Sequence, residues 1–152
     1  MRRKDRQKDE IFAKQVFRDC EYATLATVDH NLMPYCIPIS PVIEDNIIYF
    51  HCATEGKKLE NINNNSNVCI SCVSYTTLRP ERYTTEYMSA VAFGRCIVVD
   101  DETEAVHALR LIAEKYAKSN LGEFTEQVEA SRGATLVMKI SIDMITGKAN
   151  II

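Results

Sequence analysis

Two adjacent ammonium groups behind a glycine are the residues most able to do chemistry. Lys57 and Lys58 follow Thr54-Glu55-Gly56 directly and open a short helical run, Lys57–Asn63. Glycine lets the backbone come close to a ligand, a helix N-terminus offers free N–H groups, and two cations arrive together. That set suits a phosphate monoester. No glycine stands upstream where a P-loop needs one, so G-x-x-x-x-G-K-[ST] is excluded. The same residues fit a solvated turn with two surface lysines, and spacing alone leaves both readings open. His51 ends the apolar stretch Asn46–His51 just before this turn. It is either a satisfied core imidazole or a pocket group able to hydrogen-bond a small ligand.

Other constellations are weaker. Cys69 and Cys72, with His51 and Cys52, invite a zinc reading. But residues three apart on a strand point to opposite faces, so the two cannot share one metal. No metal site is expected, and the cysteines read as buried thiols, with Cys20, Cys36 and Cys96 as small core residues. No G-x-S-x-G elbow exists, and none of the five glycines forms G-x-G, so a hydrolase elbow and a Rossmann fingerprint are both excluded. Glu102 and Glu104 read as a solvated helix face. His30, in the turn Asp29-His30-Asn31, and His107, off the apolar stripe of its helix, read as exposed.

The elements that must position Lys57 follow from periodicity and turn residues. Residues 1–8 form a basic arm, either solvated or reaching across a dimer or towards a ligand phosphate. Asp9–Asp19 is a helix with the stripe Ile11, Phe12, Val16 and Phe17. Tyr22–Thr27 is a strand, and Met33–Ile43 a second one dotted by Pro34, Pro38 and Pro41. Proline cannot donate to a ladder, so that strand is an edge, is bulged, or faces something other than a strand. A flat ligand along it would explain the prolines; an edge guarded against aggregation would too. Glu44-Asp45-Asn46 turns the chain into the strand ending at His51. Val68–Tyr75 is strand four, Thr76–Thr85 a loop, and Tyr87–Val99 a long strand with Gly94 as a bulge or close approach. Asp101–Tyr116 is a capped helix with the stripe Ala105, Leu109, Ile112 and Tyr116, and Asp101 with Glu104 resembles a capping box. Ala117–Gly133 is polar with at most a short helix; Ala134–Ile142 is the last strand and Asp143–Ile152 a tail. The sum is a mainly β, six-stranded antiparallel barrel with flanking helices.

Composition sets the bounds. At 152 residues and 46% hydrophobic, the chain has enough apolar content for a single domain over residues 1–152. Its formal net charge of −3 gives no general pull towards nucleic acid or anionic membrane. No apolar run is long enough for a membrane span, and the basic start lacks an apolar signal core, so a cytoplasmic location is expected.

Three motifs in order, PYCIPIS (34–40), YFHCATEGKKLENI (49–62) and EYMSAVAFGR (86–95), resemble the pyridoxamine 5′-phosphate oxidase-like superfamily of FMN-binding split barrels. The MRRKD start and Ile145–Lys148 make the chain most similar to the nitroimidazole-resistance subgroup. The resemblance implies a split barrel, a homodimer and FMN at the subunit interface. Carried over, Lys57 and Lys58 hold the FMN phosphate. His51 and Cys52 lie beside the cofactor, and Ile37, Pro38, Ile39 and Ser40 run along its ring. Ser89 stands where the oxidase has a flavin-contacting glutamine, and a short hydroxyl there reaches less far. His51 is the candidate catalytic and substrate-contacting group. The segment Thr84–Ser89 is the expected contribution of the second subunit. The chain lacks the oxidase's C-terminal pyridoxal-phosphate-binding segment, which argues against vitamin B6 oxidation. The implied activity is an FMN-dependent oxidoreductase acting on a small, electron-poor acceptor such as a nitro compound. A flavin carrier without turnover is the alternative, and a haem-binding split barrel a further one.

Overall fold

The computed structural model describes residues 3–151, so Met1, Arg2 and Ile152 of the basic arm and the tail lie outside the described residues. The chain forms β1 (Gln7–Lys8), α1 (Glu10–Asp19), β2 (Ala23–Val28), β3 (Pro34–Ile39), β4 (Val42–Glu44), β5 (Ile47–Ala53), α2 (Lys57–Asn64), β6 (Asn67–Arg79), β7 (Thr84–Val98), α3 (Glu102–Tyr116), α4 (Phe124–Ala130) and β8 (Thr135–Asn150). The strands make one sheet in the order β3-β2-β6-β7-β8-β5-β4, with β1 on β8, every pair antiparallel. This is the expected mainly β, helix-flanked split barrel, and its eight-stranded sheet is not closed. Six expected strands become eight because Met33–Ile43 breaks at Ser40-Pro41 into β3 and β4, and because the arm supplies β1. β3 and β4 are the two edges of the sheet, yet only two residues join them. The sheet must therefore curl until its edges meet there.

Two stretches expected as loop and tail are strand. β6 runs on to Arg79, turns through Pro80–Arg82 with Tyr83 left-handed, and returns as β7 from Thr84. Thr76, Thr77, Thr84 and Thr85 are β-branched residues that a paired ladder favours, and Thr77 stands one place from the Leu78↔Thr85 pair. β8 likewise continues to Asn150 against β7, past the point where a tail was expected to start. Gly94 marks the register shift in that pairing. A Cβ on it would lie 2.1 Å from the Ser141 carbonyl oxygen, so only glycine admits the approach. The arm is not free either: Gln7 and Lys8 pair with Lys148 and Gly147.

β5 is buried on both faces, as its apolar run implies. Ile48 and Phe50 enter the main core with Phe17, Leu25, Ile70, Met138 and Ile140. Tyr49 faces the other way, under α3, with Val42, Val99, Ala108, Ile112 and Val137. Asp9 and Asp101 cap α1 and α3, accepting from Phe12 N at 2.8 Å and Glu104 N at 2.7 Å. Within α1 the buried side is Ala13, Val16 and Phe17, whereas Ile11, expected in the stripe, is 77% exposed. The polar stretch after α3 holds a 3₁₀ turn at Lys118–Glu123 and then α4.

Candidate functional site

The prolines of the second strand explain where the barrel splits. β4 pairs with β5 as Val42↔Tyr49, Ile43↔Ile48 and Glu44↔Ile47. In the same register Ser40 would face His51, and Pro38 would face Ala53. The ladder stops instead, and β3 pairs with β2, from Ala23↔Ile39 to Val28↔Pro34. Pro38 and Pro41 have no N–H to give β5. The result is a wedge between β3 and the far end of β5, with Ser40-Pro41 at its apex. Ile37–Ser40 and His51–Cys52, far apart in the chain, thus flank one gap. The apex is braced: the buried Pro41 carbonyl accepts from Lys115 Nζ at 2.8 Å and from the Tyr116 hydroxyl at 2.8 Å. Lys115 Nζ also donates to the Phe17 carbonyl at 3.0 Å. This brace has no local signature, because Pro41 and Lys115 meet only through the fold.

α2 begins where β5 ends. Gly56 is its N-cap, with φ +129°, a conformation open to glycine and strained for any L side chain. No side chain caps the first turn, and while the Leu59 amide donates to the Gly56 carbonyl at 2.9 Å, the Lys57 and Lys58 amides precede the first intrahelical bond. Leu59 and Ile62 anchor the helix in the main core, and the buried Asn61 donates to Thr27 Oγ1 at 2.9 Å. Lys57 is exposed and Lys58 half-buried. Lys57 Nζ makes two loose ion pairs, 3.8 Å to Asp29 and 3.9 Å to Glu60. Such exposed pairs contribute little, so the ammonium is available to a stronger anion. Asp29 was read only as a turn residue; its carboxylate accepts from Asn31 N at 2.8 Å and Met33 N at 3.0 Å, which fixes it beside Lys57. Two ammonium groups beside a helix start are a donor set that suits a phosphate monoester.

The remaining expected residues divide between faces. His51 is exposed and opens on a cleft of about 320 Å³ lined by Leu109, Ile112, Tyr116, Phe124 and Val128 of α3 and α4; it is not a core histidine. Cys52, its neighbour, turns inward and is 8% exposed; burial pushes its thiol pKa up, while the nearby Lys58 charge acts the other way. Ile37 is half-buried, Ile39 buried, and Pro38 and Ser40 are exposed. Ser89 lies on β7, its hydroxyl donating to the Lys148 carbonyl at 3.3 Å. With β2 and β6 between β7 and β3, one chain does not bring Ser89 to the wedge. Cys69 is half-buried and Cys72 buried, on opposite faces, and no metal-binding cluster occurs among the described residues. Cys36 is exposed and is no core residue, because it alternates with Ile37 on an edge strand. Glu104 is only partly exposed and is engaged by the sheet: it accepts from Lys139 at 2.7 Å and from the Tyr49 hydroxyl at 2.9 Å. Glu102 is exposed and pairs with Arg132. His30 and His107 are exposed as expected, and His107 Nε2 lies 2.8 Å from Glu44.

Comparison with known proteins agrees with this architecture. A candidate 5-nitroimidazole antibiotic resistance protein from Bacteroides thetaiotaomicron is 25% identical, with 93% of this chain and 84% of that one covered at a TM-score of 0.78. An FAD-binding protein from Mesorhizobium loti is 16% identical, covering 96% and 98% of the two chains at a TM-score of 0.66. An FAD- and haem-binding protein from Mycobacterium smegmatis is 17% identical, covering 95% and 73% at a TM-score of 0.66. No curated protein matches the chain. The family model described as Pyridoxamine 5′-phosphate oxidase matches residues 12–149. The chain therefore belongs to the pyridoxamine 5′-phosphate oxidase family.

Proposed function

We propose that the chain is an FMN-binding oxidoreductase that reduces a small, electron-poor acceptor, a nitro compound being the leading candidate. One observation carries the reading: β3 and the end of β5 flank a single wedge whose rim is the uncapped, doubly cationic start of α2. Lys57, Lys58 and the first-turn amides hold the phosphate. Pro38 and Ser40 present an exposed edge to the flat ring, with Ile37 partly behind them. When bound, the flavin supplies the two-electron chemistry, and the chain supplies binding and orientation. His51 receives the acceptor from the apolar cleft beside it and hydrogen-bonds or protonates it. The working form is a cytoplasmic homodimer. Its contact face is the uncharged row that the strand register builds from Cys36, Ala26, Cys69, Phe93 and Met144. The second subunit then brings Ser89 and the Thr84–Ser89 segment to the cofactor.

The test is a titration with FMN and with riboflavin. Lys57→Ala with Lys58→Ala weakens FMN about 100-fold, as expected for two lost charge-assisted contacts, and leaves riboflavin nearly unchanged. Equal loss for both ligands would overturn the phosphate assignment. With FMN bound, NADH or NADPH bleaches the flavin and a nitroimidazole restores it without oxygen. Tight FMN binding without donor-driven bleaching would make the protein a flavin carrier instead. His51→Ala keeps FMN and loses acceptor turnover; unchanged turnover removes His51 from the mechanism.

A further inference from the structure

The cleft beside His51 has a lining that selects its occupant. Leu109, Ile112 and Tyr116 of α3 form one wall, and Phe124, Gln127 and Val128 of α4 the other. Among the described residues no lysine, arginine, aspartate or glutamate lines it. Charges on and beside the same helices are paired with one another, Arg110 with Glu114 and Arg132 with Glu102 and Glu129. The Arg110 guanidinium sits 5.3 Å from the centre of the Phe124 ring and steadies that wall. Two of the polar groups at the cleft are already committed. The Tyr116 hydroxyl donates to the Pro41 carbonyl at 2.8 Å, and the Ser131 hydroxyl to the Val128 carbonyl at 3.1 Å. The side chains of His51, Gln127 and Thr135 make no hydrogen bond to the described residues and can meet an occupant. On β5, His51 alternates with Tyr49 and so looks to the α3 side of the sheet. Tyr116 lines the cleft and also bonds the apex of the wedge, so the cleft and the wedge share a wall.

The lining decides what charge the occupant carries. An ion moved from water on to these walls gives up hydration and finds no countercharge, which disfavours it strongly. An uncharged ring instead gains by burying its faces against Phe124 and Tyr116. α4 is the wall that sets the fit. None of its residues is buried, and Phe124 and Val128, four apart, turn one half-buried face to the cleft. We propose that the cleft admits uncharged aromatic acceptors and rejects ionised ones, with Phe124 and Val128 as the specificity-determining residues and His51 hydrogen-bonding the polar end of the ligand. This inference rests on the reading of the cleft as the acceptor's site, and it narrows that acceptor to a molecule without carboxylate, phosphate or ammonium groups.

The experiment compares three probes of similar size, para-nitrobenzamide, para-nitrobenzoate and para-nitrobenzylamine, which are uncharged, anionic and cationic at neutral pH. Each is titrated calorimetrically into the full chain before and after saturation with FMN. The amide should bind saturably at one per chain and at least tenfold more tightly than either ion. Phe124→Ala should weaken the amide about tenfold. Gln127→Lys should tighten para-nitrobenzoate about tenfold by supplying the missing countercharge, and weaken para-nitrobenzylamine. Neither side chain is buried, so both variants should keep the far-ultraviolet circular dichroism and the FMN affinity of the unsubstituted chain. Several results would overturn the inference: no saturable binding of the amide, an ion bound as tightly as the amide, amide binding indifferent to Phe124→Ala, or para-nitrobenzoate binding indifferent to Gln127→Lys. The two readings fail separately. A chain that prefers the amide but does not bind FMN upholds the selectivity of the cleft and refutes the flavin reading. A chain that binds FMN and shows no preference among the probes refutes the cleft and leaves the flavin reading standing.

Discussion

Lys57 and Gly56 illustrate how local chemistry can be read before the fold is known. Glycine followed by two lysines forecasts a close-lying backbone and a helix start, and α2 does begin at Lys57, while the structure adds a positive φ of +129° at Gly56. Gly94 was equally legible as a bulge or close approach, yet the two glycines fail differently when substituted. Around Gly56 a Cβ would meet nothing within 4 Å, so Gly56→Ala should cost only the strain of a left-handed residue, about 1–2 kcal/mol. At Gly94 the added carbon meets backbone at 2.1 Å, which cannot move cheaply. Gly94→Ala should cost about 3 kcal/mol and lower Tm by roughly 6–12 °C in scanning calorimetry. Equal loss at the two positions would contradict this account. Cys36, by contrast, was read as a core residue and is exposed, because residue type alone cannot say which face of an edge strand looks inward.

At the scale of elements, one of the polar contacts that join α3 to the sheet, that of Glu104 with Lys139 and Tyr49, was disguised in the sequence. The Lys139 hydrogen bond, then that of Tyr49, holds the Glu104 carboxyl below its ordinary value of 4.5. Burial, and then Glu104 itself, push the Tyr49 phenol up to about 12. A depressed carboxylate adds stability that is complete above its unfolded pKa and disappears as pH falls through its folded one. Glu104→Gln should therefore remove about 1–2 kcal/mol at neutral pH, while the gap to the unsubstituted protein closes below about pH 4. Urea melts at the two pH values check this, and a gap that persists in acid would refute it. The amphipathic pattern located α3 correctly, but it assigned Glu104 to water because Lys139 and Tyr49 belong to other strands.

For the molecule as a whole, the outer face of the sheet carries an exposed apolar patch. Phe93 is 43%, Val73 50% and Met144 53% exposed, on neighbouring strands of one face. Apolar side chains gathered this way mark an interaction surface. If two copies meet there, Phe93→Asp should weaken the dimer about 30-fold or more, near 2 kcal/mol. FMN affinity should fall with it, and the far-ultraviolet circular dichroism should stay unchanged. Sedimentation and FMN titration at matched concentrations read both effects. A dimer that survives Phe93→Asp, or FMN binding indifferent to it, would separate the flavin site from that face.

The sequence by itself determined the mainly β class, the two main helices with the cap of the second, the Gly56–Lys58 turn and the awkward, proline-dotted second strand. Each of these is local: a backbone angle, a missing N–H or a periodicity is set by residues a few positions apart. Tertiary structure alone decided that Pro38 and His51 flank one wedge, that Lys115 braces its apex, and that the basic arm folds back over Phe12 as the rim of a cleft. Those outcomes depend on strand register and on contacts between distant segments, which are fixed by the packing of the whole sheet and carry no local signature.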